Sequence, residues 1–243
     1  MIRRATAADI PDSGHDESLI RICSLKKAYG CDVPFIQYFT DGTGGFLSVM
    51  DGVGVLHAPA LTDEWEIFIC MNPDIRTLHC PGHIGHSLLE SGNWQGRVGE
   101  VLLYNGPTPV MDNTVCTSPH LPDVYALLQN HFPNVPPLDY WYPDVSHRVR
   151  HNCCHIGCII HENQVVSTAM TVAETDTAAI LGQVATATSH RRQGLAAACI
   201  KSILTACEAK SLYILPIHEQ AAHLYRNLGF SPCGSWAELQ KTN

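Results

Sequence analysis

The chain has 243 residues, 45% of them hydrophobic and 16% charged, and its 15 Lys+Arg against 23 Asp+Glu leave a net charge of −8. That allows one large domain or two small ones, excludes disorder driven by charge excess, and argues against nucleic acid or an anionic membrane as partner, since both need a basic face. An odd count of 11 Cys beside 14 His, behind a start (MIRRATAADI) without an apolar signal core, points to free thiols in a reducing cytoplasm rather than a secreted disulfide scaffold.

In chain order, residues 17–30 (ESLIRICSLKKAYG) read as a helix stopped by Gly30. Residues 46–58 read as two alternating strands around an Asp51-Gly52 turn. EWEIFICMN (64–72) reads as a buried strand, LHCPGHIGHSLL (78–89) as a Gly-containing loop entering a helix, and EVLLY (100–104) as a strand. Residues 105–123 have linker chemistry, Pro122 opens a helix over 122–132, and 138–152 are helical beyond Pro143.

Residues 157–169 then repeat the hairpin pattern around Glu162-Asn163, at an offset of 111 residues. The same offset sets EWEIFICMN on TAAILGQVA (177–185), LHCPGHIGHSLL on SHRRQGLAAACI (189–200) and EVLLY on SLYIL (211–215). Four elements at one ungapped offset indicate two related halves. The expected boundaries are 1–110 for the first half, 111–137 for a linker and connecting helix, and 138–243 for the second half.

The segment 178–210 carries the chemistry. A buried strand ends near Thr186, a tight turn follows over Ser189-His190-Arg191-Arg192-Gln193-Gly194, and an apolar helix begins at once. Turn amides and the unpaired donors of the helix N-terminus converge there on one point suited to an anion. Gly194 lets an anion approach the main chain, Ala196 keeps the first helical turn slim, and Arg191 and Arg192 add charge-assisted hydrogen bonds. A pyrophosphate fits such a site. Neither a Walker lysine nor a GxGxxG fingerprint is present.

The turn resembles the Gln/Arg-x-x-Gly-x-Gly/Ala signature of the GCN5-related N-acetyltransferase (GNAT) superfamily, with Arg191, Gly194 and Ala196 in the signature positions. The upstream strand GQVAT and the downstream block EQAAHLYRNLGF (219–230) extend the likeness over residues 138–243. The resemblance implies an α/β (α+β) fold of two tandem GNAT-like halves. Each half would be a mixed, mostly antiparallel sheet flanked by helices, with a splayed parallel strand pair in the C-terminal half.

It also implies acetyl-coenzyme A (or another acyl-coenzyme A) as co-substrate. The pyrophosphate would lie on residues 191–196 (Arg191, Arg192, Gln193, Gly194, Leu195, Ala196) and the pantetheine arm along Val184, Ala185 and Thr186. A backbone N–H near Val184 would polarise the thioester carbonyl. Tyr225 occupies the place of a tyrosine that protonates the departing thiolate in many members. Glu174 and Gln183 are candidates near the amine, although glutamine cannot act as a base. The expected activity is N-acetyl transfer to a primary amine of a small-molecule or peptide acceptor, by a monomer or homodimer.

At the offset of 111 the first half places Cys80 and His83 where the second has Arg191 and Gly194, so it reads as a degenerate copy, with Arg76, Gly82 and Gly85 as partial substitutes. One cofactor site per chain is expected, with the first half forming a wall of the acceptor pocket, a layout similar to that of glycine N-acyltransferases. A second functional class is a non-catalytic acyl-coenzyme A sensor or interaction module, and a third is a thiol or metal protein.

The third class rests on His79, Cys80, His83 and His86, and on His151, Cys153, Cys154, His155, Cys158 and His161. Residues 153–161 read as a strand, which divides the second group between two faces. Cys70, Cys158, Cys199 and Cys207 lie among apolar residues and read as small buried hydrophobes. No metal is expected, and His79, His83 and His86, at helical spacing, are the fallback ligands.

Overall fold

The computed structural model describes residues 1–110 and 114–242, so the part of the expected linker at 111–113 lies outside the described residues. Two compact units are present: Met1–Leu102 with Leu215–Glu219 and Pro232–Asn243, and Leu103–Ile214 with Gln220–Ser231.

In the first unit the elements are β1 (Arg3–Arg4), α1 (Glu17–Tyr29), β2 (Ile36–Thr40), β3 (Phe46–Met50), β4 (Val53–His57), α2 (Asp63–Met71), β5 (Thr77–Pro81), α3 (Gly82–Glu90) and β6 (Trp94–Tyr104), whose last two residues fall in the second unit. Asp16 caps α1 by accepting from the Leu19 amide, and Gly30 ends it at φ 76°. The β3–β4 turn has Asp51 at φ 47° and Gly52 at φ 80°, the two positive angles of a type I′ hairpin. The sheet runs antiparallel from β1 to β4, and β5 then joins β4 in parallel.

The second unit holds α4 (Leu121–Gln129), α5 (Leu138–Arg150), β7 (Ile156–His161), β8 (Gln164–Glu174), β9 (Ala178–Thr186), α6 (Leu195–Ala206), β10 (Ser211–Ile214) and α7 (Glu219–Asn227). Its hairpin turn, Glu162 at φ 49° and Asn163 at φ 61°, is also type I′. Strands β7, β8 and β9 are antiparallel and β10 joins β9 in parallel. Helix α5 already begins at Leu138, ahead of Pro143, with the amides of Tyr140 and Trp141 bonded to the Pro137 carbonyl.

The final strand, β11 (Phe230–Lys241), begins in the second unit and from Pro232 lies in the first, where it pairs antiparallel with β5 and sits between β5 and β6. Gly82 and Gly85 of α3 pack so close to it that a Cβ on either would collide with Ser235 or Ala237. These glycines serve helix-on-strand packing and are not anion ligands.

Element order does recur, as three antiparallel strands, a crossover helix, a parallel strand, a second helix and a last strand. The recurrence differs from the offset of 111 by one strand. The parallel pairs match β4 with β9, and therefore α2 with α6, β5–α3 with β10–α7, and β6 with β11.

Two-residue hairpins of period 2 look alike wherever they occur, which is why β3–β4 aligned with β7–β8. EWEIFICMN is accordingly helix α2 and not a strand. Thr62 caps it by accepting from the Trp65 amide, and Asp63, Glu64 and Glu66 favour the positive end of its dipole. Trp65 and Ile69, four residues apart, are buried, while Ile67 and Met71 are exposed.

Trp65 anchors the core of the first unit among Leu47, Leu56, Leu78, Ile84 and Leu239, and its Nε1–H donates to Asp41 at 2.9 Å. The second core gathers Val124, Leu128, Trp141, Val145, Ile156 and Met170. Trp65→Ala is expected to cost about 3–5 kcal/mol by creating a cavity. Urea unfolding followed by far-ultraviolet circular dichroism measures this, and a loss below about 1 kcal/mol would contradict the packing described.

Candidate functional site

Strand β9 has two different ends. Ala178–Leu181 are in register with Ser211–Ile214 of β10, whereas the strand continues to Thr186 in register with β8 alone. At the point of departure β9 carries a bulge: Gln183 and Val184 stand opposite the single residue Ala169, and Gln183 takes φ 47°. The segment that outruns β10 holds Val184, Ala185 and Thr186. It also holds Gln183 Oε1, a buried acceptor without a hydrogen-bond partner.

After Thr186 the chain makes a single 3₁₀ turn (Thr188–His190), with the His190 amide bonded to the Ala187 carbonyl at 2.8 Å. Arg191 folds its Nε toward the Thr186 carbonyl at 3.3 Å, and Arg192 takes φ 62°. Gly194, at φ 78° and ψ 0°, occupies the N-cap position of α6. That left-handed conformation suits glycine. No atom lies within 4 Å of where its Cβ would stand, so the main chain there is bare on its outer side.

Helix α6 has no side-chain cap and no acidic residue in its first turn. The structure thus brings Arg191, Arg192, Gln193, Gly194, Leu195 and Ala196 together around an uncapped helix N-terminus, where first-turn amides and the dipole favour an anion. These residues fit a pyrophosphate.

Tyr225 lies on α7, buried, with its ring 6.1 Å from that of Phe230. Burial pushes its phenol up to about 12, so it keeps its proton at neutral pH. Glu174 lies at the other end of β8. It registers with Ala179, beside the closed end of the β9–β10 pair, while the open end begins after Leu181. Its side chain is fully buried and accepts from Lys210 Nζ at 2.6 Å on Oε1, and from Thr171 Oγ1 at 2.8 Å on Oε2, with His155 Nδ1 2.9 Å from Oε2. Burial alone would raise this carboxyl, but the hydrogen bonds from His155 and Lys210 outweigh it and hold the group down to about 2. Committed in this way and set apart from the open edge, Glu174 is placed to hold the strands, not to take a proton from an amine.

Residues 156–237 match the family model for GNAT acetyltransferases. Over those residues the second half of the chain matches a GNAT domain. The whole chain is similar in fold to a GCN5-related N-acetyltransferase from Sphaerobacter thermophilus (14% identity, TM-score 0.60, covering 99% of this chain and 95% of that one). Similar too is one from Kribbella flavida (16% identity, TM-score 0.57, covering 83% and 88%). A tandem GNAT protein from the clavulanic acid biosynthesis pathway also aligns (9% identity, TM-score 0.59, covering 98% and 97%). No curated protein sequence matches the chain.

Within the recurring element order, the first-half counterpart of the turn before α6 is the segment 58–62 (APALT) before α2, and not LHCPGHIG. It has neither arginine nor glycine. The helix behind it is capped by Thr62 and opens with three carboxylates, so its N-terminus is filled and negative where that of the GNAT domain is empty and positive. The first half is therefore unsuited to a phosphate through Thr62, Asp63, Glu64 and Glu66, and Cys80 and His83 have no part in it. Arg76, the other expected substitute, lies against the β3–β4 turn and donates to the Asp51 carbonyl at 3.2 Å.

The histidine triplet of the first half disperses. His79 is on β5 with a buried Nδ1 that lacks a partner, while His83 and His86 are exposed on α3. Burial pushes the thiols of Cys23, Cys80, Cys154 and Cys158 up to about 12, which suits inert core residues. Lys210 and His155 are partners of Glu174 that the sequence did not disclose, because they lie 36 and 19 residues from it, and Thr171, on the same strand, joins them.

Glu174→Gln removes a buried carboxylate from Lys210 and His155 and is expected to destabilise the GNAT domain by about 3–5 kcal/mol. Chemical denaturation at neutral pH measures it; a change under about 1 kcal/mol would show that the cluster does not hold the strands.

Proposed function

We propose that the GNAT domain transfers an acetyl group from acetyl-coenzyme A to a primary amine of a small-molecule or peptide acceptor, in a ternary complex. The observation that carries this reading is the uncapped start of α6 beside a strand edge that has lost its parallel neighbour. Residues 191–196 would bind the pyrophosphate with main-chain donors and the two guanidinium groups. The edge of Val184, Ala185 and Thr186 that lies beyond the end of β10 would pair with the pantetheine amides in the manner of an added strand.

The amine nitrogen attacks the thioester carbonyl carbon as its C–S bond breaks, with a backbone N–H near Val184 donating to the carbonyl oxygen. The phenol of Tyr225 gives its proton to the leaving sulfur, and the surplus proton on nitrogen passes to water. The setting is a cytoplasmic monomer or homodimer.

The engagement of Glu174 favours a second reading, a non-catalytic acyl-coenzyme A sensor, since it removes the one carboxylate that sequence offered as base. Calorimetry with acetyl-coenzyme A tests both. The wild type should bind one equivalent, and Gly194→Glu, which sets a carboxylate at the pyrophosphate position on a left-handed φ, should weaken binding about 100-fold, or ~2.7 kcal/mol. Absence of saturable binding to the wild type would remove both readings.

Turnover separates them. On an amine that the wild type acetylates, Tyr225→Phe should lower kcat about 100-fold while the Kd for acetyl-coenzyme A moves less than about twofold. Unchanged kcat would release Tyr225 from its role, and binding without turnover on any amine of a broad panel would favour the sensor.

A further inference from the structure

At the far end of α6 from the cofactor turn, three side chains from three segments point at one another. His155 Nδ1 lies 2.9 Å from Glu174 Oε2 and 3.7 Å from Cys207 Sγ, and the three donor atoms are all within 4.8 Å of one another. His155 precedes β7, Glu174 ends β8, and Cys207 is the C-cap residue of α6. Cys207 and Glu174 are buried, while about a third of the His155 side chain is exposed and gives a path inward.

One imidazole nitrogen has either one hydrogen or one lone pair to offer. It therefore cannot make two good hydrogen bonds, to the carboxylate and to the sulfur, at once. Without a cation Nδ1–H is taken by Glu174 Oε2 and the sulfur gains little; once Nδ1 and Sγ give up their protons to solvent, Nδ1, Oε2 and Sγ are three electron-pair donors around a shared point. We propose that His155, Glu174 and Cys207 form a site for a thiophilic divalent cation such as Zn²⁺, bound through Nδ1, Oε2 and Sγ.

The distances fit. Tetrahedral zinc with ordinary Zn–N, Zn–O and Zn–S bonds sets its ligand atoms roughly 3.4–3.6 Å apart. The Nδ1–Sγ separation is already close to that, and Nδ1 and Oε2 need only part by about half an ångström. The remaining position falls to water on the open His155 side.

The surroundings form a second layer. Thr171 Oγ1 donates to Glu174 Oε2 and accepts from the His155 amide, so it fixes two of the three ligands, and Lys210 takes Oε1 and leaves Oε2 facing inward. The negative end of the α6 dipole lies where Cys207 sits.

Lys210 also sets the selectivity. Its ammonium repels any dication alike, so only strong thiolate and imidazole bonds can offset it, which favours Zn²⁺ or Co²⁺ and excludes Mg²⁺ and Ca²⁺. Binding displaces the Cys207 thiol proton and the Nδ1 proton to solvent. At 1.5 Å per residue, the 12 residues of α6 put the cation roughly 18 Å from the cofactor turn, so its role is to fix strands and not to catalyse.

The test uses the full chain, stripped with chelator under reducing conditions, and Zn²⁺ or Co²⁺ alone. One equivalent of Zn²⁺ should bind in competition with a chromophoric chelator, unaffected by millimolar Mg²⁺ or Ca²⁺, and Co²⁺ should give a thiolate-to-metal charge-transfer band. Cys207→Ser should abolish that band and weaken Zn²⁺ more than about 100-fold, and Thr171→Val should weaken it about 10- to 100-fold. Cys233→Ser, at an exposed thiol outside the cluster, should change neither. The proposal is overturned if the wild type takes up no stoichiometric Zn²⁺, if its Co²⁺ form lacks the thiolate band, or if folded Cys207→Ser binds as the wild type does. If Cys207→Ser fails to fold, the wild-type Co²⁺ spectrum decides alone.

Discussion

A strand edge left without its parallel neighbour at the end of β9, followed by an uncapped start of α6, is the constraint on which the second half turns. Main-chain amides require partners, and burial without one costs about 1–3 kcal/mol. Here β9 runs past the end of β10, and α6 begins with neither a side-chain cap nor an acidic residue. The bulge at Gln183 and the left-handed turns at Arg192 and Gly194 are backbone conformations that side chains seldom adopt. They join a strand edge that has outrun its parallel neighbour to an uncapped helix start through one short turn. An elongated ligand bearing amides along its length and an anion at one end matches that pattern.

The same electrostatics explains how one element order can yield one site in place of two. Helices α2 and α6 both cross from a strand to its parallel neighbour, yet α2 begins with Thr62, Asp63, Glu64 and Glu66 and α6 with Gly194, Leu195, Ala196 and Ala197. In α2 the caps and carboxylates stabilise the helix itself. In α6 that stabilisation is forgone and the helix start stays open. Four residues at a helix start thus separate a structural copy from a binding one, a difference that an alignment sliding one strand out of place assigned to Cys80 and His83 instead.

What the sequence disclosed followed from local physics. Both type I′ hairpins, the glycine stop of α1 and the turn at 191–196 each depend on a few adjacent residues, and all are found where their residues indicate. What it concealed depended on distance along the chain. Hairpins of period 2 cannot say which hairpin they correspond to, so the offset of 111 settled on β7–β8. The run IFICM outweighed the capping signal of Thr62 with its three acids, although that signal was present. The return of residues 232–241 to β5 follows from tertiary packing alone. Glu174 read as a candidate base near the amine because its partners, Lys210 and His155, are remote in sequence.

Those partners give the open edge its fixed counterpart. Lys210 stands immediately before β10, and Glu174 and Thr175 stand just before β9; the ammonium binds the Glu174 carboxylate and the Thr175 carbonyl, and the Ser211 amide binds the Thr177 carbonyl. Two parallel strands are thereby clamped at their shared start, run together for the four rungs from Ala178 to Leu181, and then diverge. A divergence of this kind keeps its shape only if its closed end cannot slip, because a one-residue shift in register would turn every side chain of β9 to the opposite face. The buried ion cluster resists that slip: moving β10 by one residue would separate Lys210 from a carboxylate that has no access to water. Charge at one end of the β9–β10 pair therefore sets the geometry of the neutral main-chain edge at the other.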